Sequence, residues 1–182
     1  MTSQGLSMLE LIIVLMLIAV VMTYAVPSYQ LMMQRQHMRI SKDSLNTSLV
    51  LARNTSITRN QQVMLCPTND GLSCEGEKFE QVWVVFFDLN KNAQREPSME
   101  ALIWVQNKLH ERLTVRASSA YKNGIAFTPN GRLARGFSGN VILCAQGSTE
   151  YAIKIIMIAS GRMRKGCFIL NIIRTQKNWM RC

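Results

Sequence analysis

Two short basic runs, "GRLARG" at residues 131–136 and "GRMRKG" at residues 161–166, hold the side chains whose type and spacing suit chemistry. On an extended segment, residues two apart share a face, so Arg162 and Arg164 project together while Met163 turns the other way. Two adjacent guanidinium groups grip successive phosphates through bidentate, charge-assisted bonds. Lys165 offers a third contact, and Arg132, Arg135 and Lys154 are secondary candidates. The chemistry implied is recognition of a polyanion backbone. The competing reading is a polar turn whose charges are merely solvated.

The charge distribution favours the first reading. The net charge is +10, yet residues 1–100 hold eight Lys/Arg against nine Asp/Glu, while residues 101–182 hold thirteen against two. After Glu150 there is no acid, but Lys154, Arg162, Arg164, Lys165, Arg174, Lys177 and Arg181 follow. Such asymmetry points to nucleic acid or an anionic surface as partner. Trp179, between Lys177 and Arg181, is a candidate for base stacking, although packing on a sheet accounts for it as well.

Other chemistries find little to stand on. His110 in "KLHER" has no nucleophile motif beside it, and His37 lies among Gln and Arg. There is no G-x-S-x-G, no phosphate loop and no carboxylate pair isolated among apolar residues, so catalysis is not expected. "DLNKNAQREPSME" opens like a calcium loop with Asp88, Asn90 and Asn92, but Ala93 replaces the glycine and Met99 the bidentate acid. It reads as a connecting loop, and no cofactor or metal is expected. The cysteines at 66, 74, 144, 167 and 182 lack zinc-ribbon spacing. Export to an oxidising compartment with at least one disulfide fits them better. Cys66 and Cys74 flank the turn-rich "PTNDGLS" and suit a short closed loop. Cys144 and Cys167 lie in two apolar runs that are candidates for neighbours, which leaves Cys182 over.

The elements that must position these residues follow from periodicity. Past Gln62, the runs "VMLC", "QVWVVFFDL", "ALIWVQ", "LTVRAS", "GIAFTP", "GNVILCAQ", "EYAIKIIMIAS" and "CFILNII" are short and rich in β-branched and aromatic residues, with turn chemistry between them. Before it, Met38, Leu45, Leu49 and Ala52 recur at helical spacing among charged residues. Further upstream, residues 11–34 carry no formal charge, and "LIIVLMLIAVVMTYAV" is long enough to cross a bilayer as a helix of ~20 residues. Glu10 stands at the head of that run. An acid there is costly unless paired or protonated, so a partner is expected. No Lys or Arg precedes the run and no small-x-small site closes it, so this is not an ordinary secretory signal.

"G-LSMLE" followed by the apolar run resembles the class III signal of type IV prepilins and pseudopilins. The resemblance implies cleavage after Gly5 by a prepilin peptidase, methylation of the new N-terminal Leu6, and a role for Glu10 in attracting the N-terminus of a neighbouring subunit during assembly. Pro27 matches the proline found at that depth in pilin helices. Arg35, Arg39 and Lys42 follow the run, against the positive-inside rule; the leader motif takes precedence. The later segments "LCPTNDGLSC", "WVVFFDLNKNAQR", "IAFTPNGRLARG", "VILC" and "ASGRMRKG" occur in an order similar to the minor pilins of the FimT/GspH group.

The fold implied is α+β: a pilin-like long N-terminal helix packed on a C-terminal antiparallel β-sandwich or barrel-like head. The expected division is a leader at 1–5, a membrane or filament-core half-helix at 6–33, an amphipathic half-helix at 34–62 and a β-rich head at 63–182. "GRMRKG" resembles the G-R-x-R motif of FimT proteins, which implies sequence-independent DNA binding in natural transformation. The alternative is a structural minor pilin or a GspH-like type II secretion pseudopilin that binds no DNA. Partners expected with either are other pilin subunits, the bacterial inner membrane and the peptidase, with the head in the periplasm and later on the pilus. Intact mass of the protein purified from membranes should equal residues 6–182 plus one methyl group; an uncleaved N-terminus would exclude the leader assignment.

Overall fold

The computed structural model describes residues 8–74, 79–107, 109, 113–145 and 151–169. Gly5 and Leu6 therefore lie outside the described residues, as does Trp179. Helix α1 runs Met8–Arg59 and contains Pro27. By contacts the chain forms two units, Met1–His37 and Met38–Cys182.

In the first unit the helix keeps its apolar side chains on the outside. Met8, Leu9 and every large hydrophobic from Leu11 to Val21 is exposed. A window of mean hydropathy 2.6 makes this helix long and apolar enough to span a membrane. Pro27 has no amide to give to the preceding turn. The hydroxyls of Thr23 and Ser28 donate to the carbonyls of Val20 and Ala25, at 2.7 and 2.9 Å.

The second unit begins where α1 acquires a buried stripe: Met38, Ser41, Leu45, Ser48, Leu49, Ala52 and Ser56. The three- and four-residue steps put these on one face. The serines are small enough to let strands approach, and their hydroxyls turn back to the helix, Ser48 to Ser44 O and Ser56 to Arg53 O. Ser48 also accepts from the buried indole of Trp83 at 3.0 Å, so that polar tip is satisfied inside the core.

Eight strands follow: β1 Val63–Thr68, β2 Val82–Phe87, β3 Leu102–Gln106, β4 Leu113–Ala117, β5 Ile125–Phe127, β6 Gly139–Ala145, β7 Tyr151–Met157 and β8 Met163–Ile169. They form two four-stranded sheets, ordered β3-β2-β1-β5 and β4-β6-β7-β8, with every pairing antiparallel. This is the long helix with an antiparallel two-sheet head that the sequence implies. Period-two alternation sends Val115, Val141, Leu143, Ile155 and Met157 of the second sheet into one core with Leu45, Leu49, Leu65, Trp83 and Val85. The last strand starts earlier than its apolar run suggests, at Met163, and takes in Arg164 and Lys165. The basic motif therefore sits on the β7–β8 hairpin.

The first sheet is buried on its other face too. Met64, Cys66, Val84 and Phe86 pack there against Cys74 and Ala93, brought over by two loops. The first loop is closed by a Cys66–Cys74 disulfide with Cα atoms 5.6 Å apart. Within it, Asp70 accepts from the amides of Leu72 and Ser73 and from the hydroxyls of Thr68 and Ser73. In the second loop Glu100, itself buried, accepts from the amides of Leu89 and Glu96. Asn90 and Asn92 accept through their side-chain oxygens from the amides two residues on and donate through their amide groups to Glu96, the work of a connecting loop.

Cys144 and Cys167 do not lie on neighbouring strands. Cys144 on β6 is opposite Ala152, Cys167 on β8 is opposite Ile153, and β7 runs between them. Two strand spacings are ~9.5 Å, beyond the ~7 Å that a disulfide tolerates between Cα atoms. The expected adjacency of these two cysteines fails because β7 and β8 form a hairpin that sets Cys167 on the outer edge.

The Ser73 amide first, then the Leu72 amide and the Thr68 hydroxyl, hold the Asp70 carboxyl well below the usual carboxylate range. A depressed folded-state pKa stabilises above the unfolded value, ~3.9, and that contribution is lost as pH falls through the folded one. Asp70→Asn should therefore lower Tm at pH 7, and the gap to wild type should close progressively below pH ~4, as read by thermal melts across that range.

Candidate nucleic-acid interface

The two basic runs form the same local structure. In "TPNGR", the Thr128 amide donates to Arg132 O at 2.8 Å and the Gly131 amide to Thr128 O at 2.8 Å. In "IASGR", the Ile158 amide donates to Arg162 O at 2.9 Å and the Gly161 amide to Ile158 O at 2.7 Å. Each is a tight turn closed by a glycine in the left-handed region, Gly131 at φ 69° and Gly161 at φ 78°, the geometry of a three-residue hairpin loop with a glycine bulge. The arginine comes immediately after the glycine in both.

These turns touch. The Leu133 amide donates across to Ala159 O at 3.1 Å. A methyl on Gly161 would lie 1.8 Å from the Gly131 carbonyl oxygen, so the backbones meet with no room for a side chain. From α1, Arg53 donates through Nε to that same carbonyl at 2.9 Å, and Ile57 packs under Gly131. Arg132 and Arg162, distant in sequence, thus leave adjoining turns, and both are exposed.

Beyond the turn, Arg164 is exposed on β8, while Met163 between the two arginines packs against the core. Arg164 is opposite Ile156, and Lys154 lies two residues from Ile156 on the same face of β7. Ile142 is opposite Lys154 and Arg116 is opposite Ile142, so an exposed Arg116 on β4 completes a row across the outer face of the second sheet. The four strands of that sheet contain no Asp or Glu. Lys165 occupies β8 opposite Ile155.

Arg135 is placed differently. It is exposed but lines a cavity of about 600 Å³ with Asp88, Lys91, Asn123 and Gln62 on the side of the first sheet. It also lies close enough to Tyr121 to act on its phenol, whose pKa is nonetheless raised because burial outweighs the guanidinium. Tyr121 donates to Phe137 O, fixing the segment that carries Arg135. Glu10 stands in the first turn of α1, exposed.

Sequence reasoning passed over Arg116 and Arg53. Alternation in "LTVRA" already turned Arg116 away from Leu113 and Val115. That this places it in one row with Lys154 depends on the order β4-β6-β7-β8, which no local pattern encodes. Nothing in the helix marks Arg53 as the side chain that holds a distant turn.

Comparison with known proteins matches this architecture. The family model described as type II transport protein GspH covers residues 43–161. The pilin-like protein PilA1 of Thermus thermophilus is 29% identical over 167 residues, covering 90% of this chain and 99% of that protein. Among solved structures, the type IV minor pilin FimU of Pseudomonas aeruginosa superposes with a TM-score of 0.60 at 17% identity, over 72% of this chain and 90% of FimU. The minor pseudopilin EpsH of the Vibrio cholerae type 2 secretion system does so with a TM-score of 0.51 at 11% identity, over 72% and 97%. At those identities the two structures speak to fold alone, whereas the family model spans well over half of the 182 residues: the chain belongs to the GspH family of type II transport proteins.

Proposed function

We propose that the chain is a minor pilin that binds extracellular DNA by its phosphate backbone and supports DNA uptake in natural transformation and pilus biogenesis, as the FimT-like G-R-x-R run implies. The observation that supports this is the joining of the two glycine–arginine turns, which presents Arg132 beside Arg162 next to an acid-free sheet face bearing Arg116, Lys154 and Arg164. Lys165, at the β8 position opposite the inward-facing Ile155, and Arg135, on the side of the first sheet, are assigned as further contacts that lie off this face. Contacts of this kind go to phosphates, so binding is independent of base sequence. One head offers few of them; several on a filament raise the avidity.

In this reading, cleavage after Gly5 and methylation of Leu6 prepare the helix for assembly, and Glu10 engages the neighbouring subunit's N-terminus. The head then faces the periplasm and, in the filament, the cell surface. A second reading is favoured by the family description and by the fold of EpsH. It is a structural pseudopilin of type II secretion whose basic face meets an acidic subunit.

Gel shifts of residues 34–182 separate the two. Binding to duplex DNA should weaken steeply with salt, and Arg162→Gln/Arg164→Gln should flatten the log–log slope by about 1.8, two phosphates' worth. No shift at low salt, or an unchanged slope in the double variant, would leave the structural reading alone. The turn contact predicts a contrast between glycines of similar φ. Gly161→Ala, against the Gly131 carbonyl, should cost about 3 kcal/mol or more in urea unfolding. Gly136→Ala, at φ 76° with nothing within 4 Å, should cost only about 1 kcal/mol.

A further inference from the structure

The cavity of about 600 Å³ beside Arg135 lies on the outer face of the first sheet. Its floor is apolar, with Met64 of β1 and Ala126 of β5 opposite one another. Its walls are polar and come from two parts of the chain. Asp88 and Lys91 stand on the loop after β2, and Asn123 and Arg135 on the segments either side of β5. A hollow of this size, with an apolar floor and a few converging polar groups, is the form that small-molecule sites take.

Within this cavity, groups of opposite charge are held apart. Asp88 is 1% exposed. Its Oδ2 accepts from Gln62 Nε2 at 2.9 Å, and its backbone amide donates to Gln62 O at 3.0 Å. The other carboxyl oxygen, Oδ1, is buried with no hydrogen-bond partner. An acceptor left in that condition is costly, so Asp88 is set to receive a donor from a molecule that enters. Lys91 and Arg135 are exposed, and among the described residues neither forms an ion pair with Asp88. Asn123, also exposed, adds an amide that both donates and accepts.

A ligand that suits all of these groups gives a donor to Asp88, an anion to Lys91 and Arg135, and a C–H surface to the floor. A bare anion leaves Asp88 unpaired, and a metal cation is opposed by the two basic side chains. We propose that this cavity binds a carboxylated sugar, a hexuronic acid unit of the kind found in anionic polysaccharides. Ring hydroxyls donate to Asp88 and exchange hydrogen bonds with Asn123. The acid group meets the Arg135 guanidinium and the Lys91 ammonium in charge-assisted bonds, and the C–H face of the ring rests on Met64 and Ala126. The cavity lies on the first sheet, off the cationic face of the second, so the head carries separate places for the two anions.

Sugar binding is tested on the full-length protein in detergent without DNA, so its fate is independent of the DNA-binding reading. In titration calorimetry, methyl α-D-glucuronide or methyl α-D-galacturonide should saturate one site per chain. The neutral methyl glycoside of the same sugar should bind about tenfold more weakly, having lost a charge-assisted contact. Asp88→Asn keeps the shape of the side chain but exchanges an acceptor for a donor, and should weaken the uronide about tenfold or more. Arg135→Gln, at an exposed position, should shrink the preference for the uronide over the neutral glycoside, which keeps the proposal open to refutation even if Asp88→Asn fails to fold. No binding of either uronide at about 20 mM, equal affinity for charged and neutral sugars, or wild-type behaviour in either variant would overturn the proposal. Tighter binding of deoxyguanosine monophosphate than of the uronides would overturn it too, and give the cavity to nucleotides.

Discussion

The head closes at the point where two glycine turns meet without a side chain between them. The Gly131 carbonyl lies where a methyl of residue 161 would be, and Arg53 reaches up from the helix to donate to that oxygen. This contact unites three parts of the chain that are far apart in sequence: the end of α1, the turn after β5, and the β7–β8 hairpin. The first sheet reaches it through β5 and the second through β7 and β8, so the relation of the two sheets at this end is set by backbone and by one guanidinium. Side-chain packing fills the space between the sheets, but it tolerates shifts that a carbonyl wedged against a glycine does not.

The same constraint explains the distribution of arginines. One of them is withdrawn from the surface to hold the joint, and the next residue in each turn is left outside. Arg53 is half-buried and bonded, whereas Arg132 and Arg162 are exposed on either side of it. A turn with a glycine bulge is short and fully hydrogen-bonded, so the Cα positions from which those two side chains start are fixed. Pre-set starting points reduce the ordering cost of gripping a partner. This is the physical basis on which the proposed polyanion surface rests.

Much of this was legible in the sequence, and what was not has identifiable causes. The apolar run, the helical stripe from Met38 to Ala52 and the alternation in the strand runs report burial directly, because each depends on residues close in sequence. The inward turn of Met163 between Arg162 and Arg164 belongs to the same class. By contrast, the start of β8 at Met163 defied its composition, since pairing with Ile155, Ile156 and Met157 recruits basic residues that have little strand character of their own. The separation of Cys144 from Cys167 and the alignment of Arg116 with Lys154 both depend on sheet order. Serines 41, 48 and 56 were invisible as core because their chemistry is polar; only the closeness of the strands and the internal hydroxyl bonds make them suitable there.

Among the described strands, β8 closes the second sheet on one side, with β7 as its single neighbour. An edge strand is a standing invitation to another chain, because one row of its amides and carbonyls has no partner within the sheet. Here the exposed Arg162 stands just before that strand and the exposed Arg164 is its second residue. Like charges brought face to face repel, so two heads approaching edge on would be pushed apart before their backbones paired. Cations suited to hold a polyanion would thereby also keep neighbouring subunits separate wherever heads are crowded together.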